Sequence, residues 1–294
     1  MTDRYHEIDG ELDRTTGIGG SDIGAIMGIN PWCSPLDVYL RKVGITAEEP
    51  ENEAMWWGTE LEPVILRRYC EQNQRKLAPF CHPARMIDPD WAYASPDGLI
   101  VDVGHVTHPL WGVEVKTAGA TMSREWGEED EEPPRIPPHY EYQCRWGMWV
   151  LGLERWDIAV LIGGNTYRQY TLTWDETDQD IMIEDAIDFW ENHVLPRIPP
   201  EPTGHPAEAH ALQSLHPEHD DDVVAVGAEV EELALAYKAA QDQRDVALAT
   251  YDALQNRLKA VIGDHAGVTG PWGTITWKST KTGSRRFVAK WESD

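Results

Sequence analysis

The octapeptide GVEVKTAG (Gly112–Gly119) places an acid and a lysine two positions apart in an otherwise apolar run. Its alternation has the period of a β-strand, in which every second side chain shares a face. Glu114 and Lys116 therefore project to one side, and Val113, Val115 and Thr117 to the other. Taken alone, the two charges read equally as a same-face or cross-strand ion pair at a sheet edge. A second acid upstream alters the weighing. The run WAYASPDGLIVDV (Trp91–Val103) reads as strand, turn, strand, with Pro96-Asp97-Gly98 supplying the turn. If the second of those strands pairs with the one bearing Glu114, Asp97 and Glu114 come close together. Two carboxylates and a backbone carbonyl form a hard-oxygen site suited to Mg²⁺. A neighbouring lysine can position or deprotonate a water there, and phosphodiester hydrolysis needs these parts.

The flanking sequence supplies elements of both kinds. GIGGSDIGAIMG (Gly17–Gly28) is a glycine-rich loop entering a short helix, with Ser21 the expected N-cap. It lacks the Lys-Ser/Thr ending of a nucleotide-binding loop. In SPLDVYLRKVG, Ser34 caps a helix with Pro35 first inside it, Asp37 at the third position and Gly44 as the stop. From Asn52 to Gln74, Met55, Leu61, Ile65, Leu66 and Tyr69 define a helical face, which Pro63 should bend or restart. Arg124 to Pro138 is an acidic, proline-bearing loop, and Pro138 opens another helix. RWDIAVLIGG and TYRQYTLTW read as a hairpin closed around Gly163-Gly164-Asn165, after which Asp175 caps a helix reaching about Val194. The order α, β, β, α, β, β, α predicts a mixed α/β domain over residues 1–196. Residues 197–222, rich in Pro, His, Glu and Asp, read as a linker. Residues 223–294 follow as one long helix or a helical hairpin and then two short β-like runs.

The totals set bounds. The chain has 294 residues, 41% of them hydrophobic, and no run approaches a membrane span. The polar start, MTDRYHEIDG, lacks the apolar centre of a secretory signal, so a soluble cytoplasmic protein is expected. Cys33, Cys70, Cys81 and Cys144 are scattered without a CxxC pair and are expected to be reduced thiols. The formal net charge of −26 opposes long-range attraction of nucleic acid, so any such site must be locally basic or neutralised by metal.

Five stretches, in order, carry a family resemblance. RTTGIGGSDIGAIMGINPWCSPLDVYLRKVG (Arg14–Gly44), WWGTELEPVILRRY (Trp56–Tyr69), ASPDGLI (Ala94–Ile100), GVEVKT (Gly112–Thr117) and PPHYEYQCRWGMWVLG (Pro137–Gly152) resemble successive motifs of the PD-(D/E)XK nucleases. The branch they resemble is that of the YqaJ-type viral recombinases, which includes lambda exonuclease. The likeness spans roughly the first two thirds of the chain. It implies a restriction-endonuclease-like mixed β-sheet flanked by helices, here with a C-terminal helical segment and a short β-hairpin.

By that resemblance Asp97 and Glu114 would hold Mg²⁺, for which Mn²⁺ could substitute. The Val115 carbonyl would be a further ligand, and Lys116 would orient the water. Glu60 matches the helix acid aimed at the metal, though a solvated acid near a helix N-terminus also explains it. Gln143 matches a glutamine that holds the lysine or the water, and a surface glutamine is the bland alternative. Arg14, Ser21 and Ser95 match positions that grip a terminal 5′-phosphate. Arg145 departs from the pattern, standing where the family often has a second glutamine.

The activity implied is 5′-to-3′ resection of linear double-stranded DNA from its ends, feeding a single-strand-annealing recombinase in phage-type recombination, with ring-shaped trimers as the homo-oligomer. An endonuclease of the same fold and a non-catalytic DNA- or protein-binding scaffold are the competing expectations. Beyond the resemblance, Lys278, Lys281, Arg285, Arg286 and Lys290 alternate with Trp272, Trp277, Phe287 and Trp291 near the end of the chain. This pattern fits a nucleic-acid grip, a hairpin whose aromatics pack on the long helix, or a docking surface for a partner protein or another subunit.

Overall fold

The computed structural model describes residues 4–47, 52–79, 81–102, 105–128, 131, 135–219 and 221–292. The acidic loop expected from Arg124 to Pro138 lies partly outside them. Contacts divide the chain into two compact units, the first ending at His219 and the second beginning at residue 220.

The first unit runs β1 (Tyr5–Glu7), α1 (Gly20–Ile26), α2 (Pro35–Lys42), α3 (Glu53–Asn73), β2 (Lys76–Leu77), β3 (Ala84–Met86), β4 (Tyr93–Ala94), β5 (Gly98–Asp102) and β6 (His105–Ala118). It continues through α4 (Pro138–Leu151), β7 (Arg155–Ile162), β8 (Thr166–Thr173), α5 (Glu176–Phe189) and α6 (Glu208–Leu215). Strands β2-β5-β6-β7-β8 form the central sheet, and β1-β3-β4 a small second one. The central sheet is mixed: β6 and β7 run parallel across the α4 crossover, while β5 and β8 pair antiparallel to their neighbours. A three-residue loop closes β7 and β8, Ile162 facing Thr166, around the glycines that the hairpin expectation named.

Alternation along the strands divides the core. Val113 and Val115 pack with Ile100 and Ala159 under Ile65, Leu66 and Tyr69 of α3. On the opposite face Trp156, Ile158 and Val160 join Trp146 and Met148 of α4. The result is a mixed α/β architecture, a central mixed sheet flanked by helices. Helix α3 continues through Pro63 without a break. Its inner face is fastened by a buried polar cluster, in which the Tyr69 hydroxyl donates to Asp157 and accepts from Trp111 Nε1 at 2.9 Å.

Residues 197–219 belong to the first unit rather than hanging as a bare linker. Glu208 accepts hydrogen bonds from the backbone N–H groups of Thr203, Gly204 and His205, folding a tight turn that starts α6. Ala211 is buried in the main core, and Arg197 donates to the Val43 carbonyl at 2.8 Å. Periodicity could not show this, because one buried alanine and one capping carboxylate do the work.

The second unit holds α7 (Ala228–Ile262) as a single helix, followed by β9 (Gly267–Gly270), β10 (Gly273–Ser279) and β11 (Arg285–Trp291) in one antiparallel sheet. Strand β9 was not anticipated, since four residues bounded by glycines are too short to show alternation. Ile262 and Ile275 are the buried apolar residues of this unit. All four cysteines of the chain are free thiols, and no described helix is long and apolar enough to cross a membrane.

Trp156 explains why the octapeptide of β6 opens with glycine. Its ring lies over Gly112, its register partner, and under Gly147 of α4; a Cβ at either position would meet the ring at about 2.5 Å or less. The tryptophan is 2% exposed. Gly147→Ala would gain up to about 1 kcal/mol of helix propensity. Overpacking against a fixed ring costs about 1–3 kcal/mol. A net loss of about 1–2 kcal/mol is expected in urea unfolding, and an unchanged or raised stability would contradict the clamp.

Candidate active site

The site forms where one strand outlasts its neighbour. β5 begins at Gly98, opposite Val113, so residues 114–118 of β6 run on without a β5 partner. On their other edge they stay paired with β7, Glu114 beside Ile158 and Lys116 beside Val160. Asp97, the residue just before β5, closes the open edge: its Oδ2 accepts the Val115 N–H at 2.7 Å. A strand residue turns its N–H and C=O toward the same edge, so the Val115 carbonyl faces the side that Asp97 occupies.

Glu114 is 3% exposed and points to the α4 face. Its Oε1 accepts from Lys116 Nζ at 2.6 Å and from Gln143 Nε2 at 2.6 Å. Gln143 thus orients the carboxylate rather than the lysine. The Lys116 ammonium also sits 4.8 Å from the Tyr140 ring centroid, an aromatic neighbour that the motif reading did not single out.

Charge is unevenly balanced here. Burial, and then the charge of Glu114, hold the Asp97 carboxyl well above the usual carboxylate range, with Lys116 and the Val115 N–H opposing. Burial alone would lower the Lys116 pKa, but Glu114, Asp97 and the hydrogen bond to Glu114 together raise it. The lysine is therefore held as an ammonium, which suits orienting a group more than removing its proton.

The glutamate that α3 turns to the cleft is Glu62, not Glu60. Two residues of an α-helix turn about 200°, so the two glutamates cannot share a face. Glu60 is exposed, whereas Glu62 is half-buried and lies on the cleft, on the stripe of Gly58, Ile65, Leu66 and Tyr69. Burial and the charge of Glu114 raise the Glu62 pKa, with Lys116 opposing. The inward stripe of α3 was visible in the sequence and, extended by one turn, would have selected Glu62.

Arg14, Ser21 and Ser95 line the same cleft of about 910 Å³ as Asp97, Glu114 and Lys116. Ser21 is not the N-cap of α1. Gly19 holds that place, its N–H satisfied by Asp22 Oδ2 at 3.1 Å, which leaves the Ser21 side chain on the cleft. Buried Asp22 is paired with Lys42 Nζ at 2.6 Å, and the same ammonium donates to the Arg14 carbonyl at 2.7 Å. This pair, unforeseen from the sequence, ties the Arg14 turn to the start of α1. Arg145 turns away from the site to bridge Glu141 at 2.7 Å and Asp178 at 2.9 Å, joining α4 to α5.

Two facing carboxylates with a main-chain carbonyl at their side are a donor set for a divalent cation. Among the described residues no three His, Cys, Asp or Glu side chains gather into a complete metal cage. Mg²⁺ commonly takes one or two protein carboxylates and completes its octahedron with water, so the donors present fit it.

With this geometry in view, the chain can be set beside known proteins. Residues 11–154 match the YqaJ-like viral recombinase domain. The matched segment includes Arg14, Ser21, Glu62, Ser95, Asp97, Glu114, Lys116 and Gln143. The chain is homologous to the uncharacterized protein YqaJ of Bacillus subtilis (strain 168), with 29% identity over 261 residues, covering 86% of this chain and 77% of that one. Among solved structures it is similar to the alkaline exonuclease LHK-Exo of Laribacter hongkongensis in complex with dAMP. That likeness has 19% identity, 69% of this chain and 95% of that chain covered, and a TM-score of 0.48. It is also similar to a phage-related exonuclease of Haemophilus somnus 129PT, at 11% identity, 60% and 93% coverage and a TM-score of 0.46.

Asp97 gives a direct test of the electrostatics of the cleft. Its folded pKa lies above the unfolded value of about 3.9. The associated stability is full below the unfolded value and is lost as pH rises through the folded one. In EDTA, Asp97→Asn should abolish that loss and show a higher thermal midpoint than wild type at pH 7 to 8. A lower midpoint would mean that Asp97 is favourably paired and not repelled by Glu114.

Proposed function

We propose that the chain is a Mg²⁺-dependent deoxyribonuclease that resects linear double-stranded DNA from a 5′-phosphorylated end. The observation that carries the reading is the approach of Asp97 to Glu114 at the open edge of β6, with the Lys116 ammonium bonded to Glu114. Similarity to the YqaJ-like domain supports a role in recombination.

Asp97, Glu114 and the Val115 carbonyl would hold the cation, and Glu62 would face it across the cleft. Bound there, Mg²⁺ would polarise the scissile phosphate and lower the pKa of a water, the two services a metal gives phosphodiester hydrolysis. The protein's own groups do the positioning. Gln143 fixes the rotamer of Glu114 through its 2.6 Å hydrogen bond. Lys116 presents ammonium protons to the attacking water or to a phosphate oxygen, and compensates negative charge as it develops. Arg14 would bind a terminal phosphate through its guanidinium fork, with the Ser21 and Ser95 hydroxyls as further donors. Anchoring the end phosphate in the cleft that holds the acids would set the distance to the cleaved bond, which favours an exonuclease over an enzyme that cuts within a chain. Mn²⁺ would be an acceptable substitute. A single-strand-annealing recombinase as partner and a ring-shaped homo-oligomer complete the proposal, on the strength of the family resemblance.

The experiment compares linear duplex with and without a 5′-phosphate and a covalently closed circle, each with Mg²⁺ or EDTA. Degradation of the phosphorylated linear substrate in Mg²⁺, slower degradation without the phosphate, and intact circles are expected. Cut circles would replace the reading with an endonuclease, and inactivity on all three would favour a scaffold. Lys116→Ala should retain its fold by circular dichroism and lose cleavage by about 100-fold or more. Normal cleavage by this variant would remove Lys116 from the chemistry. Glu62→Gln should lower the rate by at least about tenfold and Glu60→Gln by less than about twofold. The reverse order would overturn the assignment of the helix acid.

A further inference from the structure

The second unit carries a charge anomaly. Between Asp264 and Glu292 there is no Asp or Glu, in a chain that has 51 of them and a formal net charge of −26. The same stretch contains Lys278, Lys281, Arg285, Arg286 and Lys290.

The register of β10 and β11 sorts these cations from the aromatics among which they are interleaved. Ile275, Trp277, Phe287 and Ala289 share one face, where Ile275 is buried and Lys259 of α7 lies over the Phe287 ring. Lys278 and Arg286 stand directly opposite each other on the other face, as do Thr274 and Lys290. Arg285 is structural: it donates to the carbonyls of Gly263, His265 and Trp277 and lies 3.8 Å from the Trp277 ring centroid, closing the end of α7. Lys278, Arg286 and Lys290 are exposed, and no described acid pairs with them. Two like charges directly across a strand pair cost stability, so folding alone does not account for them.

We infer that the open face of this sheet is a binding site for a nucleic-acid phosphate backbone, built from residues that do not line the cleft. Lys290 lies four residues along the ladder from the Lys278–Arg286 pair, about 13 Å away. Along a duplex axis that span covers on the order of four base-pair steps. The Thr274 and Thr276 hydroxyls between the cations add neutral donors. With Trp277 and Phe287 turned toward α7, this face offers no ring for base stacking, so binding is independent of sequence, serves single and double strands alike and is strongly salt-dependent. The choice of nucleic acid over other polyanions rests on the nuclease reading above. The charge argument does not.

The test is fluorescence anisotropy of the full chain with labelled duplex in EDTA, where cleavage plays no part, between about 50 and 200 mM salt. Lys278→Gln with Arg286→Gln should weaken binding about tenfold near physiological salt and reduce the slope of log K against log salt by about 2. Its thermal midpoint should be unchanged or higher, because opposed cations have been removed. As a control, Lys238→Gln with Arg244→Gln removes the same formal charge from cations already paired with Asp242 at 2.9 Å and Asp245 at 2.7 Å, and should leave the slope unchanged. Lys290→Gln alone should reduce the slope by about 1. Equal losses in both double variants, or no loss in the first, would overturn the inference. So would loss of binding to phosphatidylserine vesicles with DNA affinity intact. If the wild-type chain cuts no DNA in Mg²⁺ but shows this pattern, the nuclease reading fails and the site stands.

Discussion

Two carboxyl groups are brought together where β5 stops short of β6, and the candidate site is arranged around them. Asp97 is placed by the hydrogen bond it accepts from the unpaired Val115 N–H, and Glu114 by the alternation of the strand, with Gln143 and Lys116 fixing its oxygen. Neither acid can retreat without leaving a polar group unpaired in a largely buried setting. Burial first, and then the charge of Glu114, raise the Asp97 pKa, with the Lys116 ammonium opposing them. A divalent cation is the chemical species that would remove the imbalance. The remaining architecture maintains the arrangement: α3 packs behind the valines of β6, α4 brings Gln143 and Tyr140 to the front, and Trp156 is held between two glycines.

Much of this was legible because a strand has a period of two. The valine and charge alternation of residues 113–117 fixed which side chains share a face, and the Pro-Asp-Gly signal located Asp97 at the start of the adjoining strand. Other features needed more than the motif itself. Glu60 and Glu62 both lie in a helical segment, and only the inward stripe of α3 separates them. Ser21 looks like an N-cap in the sequence, but Asp22 already satisfies the Gly19 N–H, and the buried Asp22–Lys42 pair depends on contact between elements distant in sequence. Arg145 could have been placed in the cleft or away from it, and its partner Asp178 on a later helix decided the matter. The turn before α6 is built by one carboxylate, a device with no periodic signature.

Charge is distributed with the same logic. An acidic chain repels a polyanion at a distance, so contacts to phosphate need sites that are locally basic or neutralised by metal. Arg14 and Lys116 supply cationic groups in the cleft, and Lys278, Arg286 and Lys290 supply a cluster on the small C-terminal sheet. Screening by salt weakens repulsion and attraction together, which makes ionic strength a variable that any functional study of this chain must control.

The central claim is that Asp97 and Glu114 share one divalent cation. Calorimetric titration of the purified chain with Mn²⁺ measures this without reference to catalysis. The account predicts saturable binding in the wild type that is lost or weakened at least about tenfold in both Asp97→Asn and Glu114→Gln, since each removes a charged ligand. Binding that is unchanged in either variant, or absent from the wild type, would contradict it.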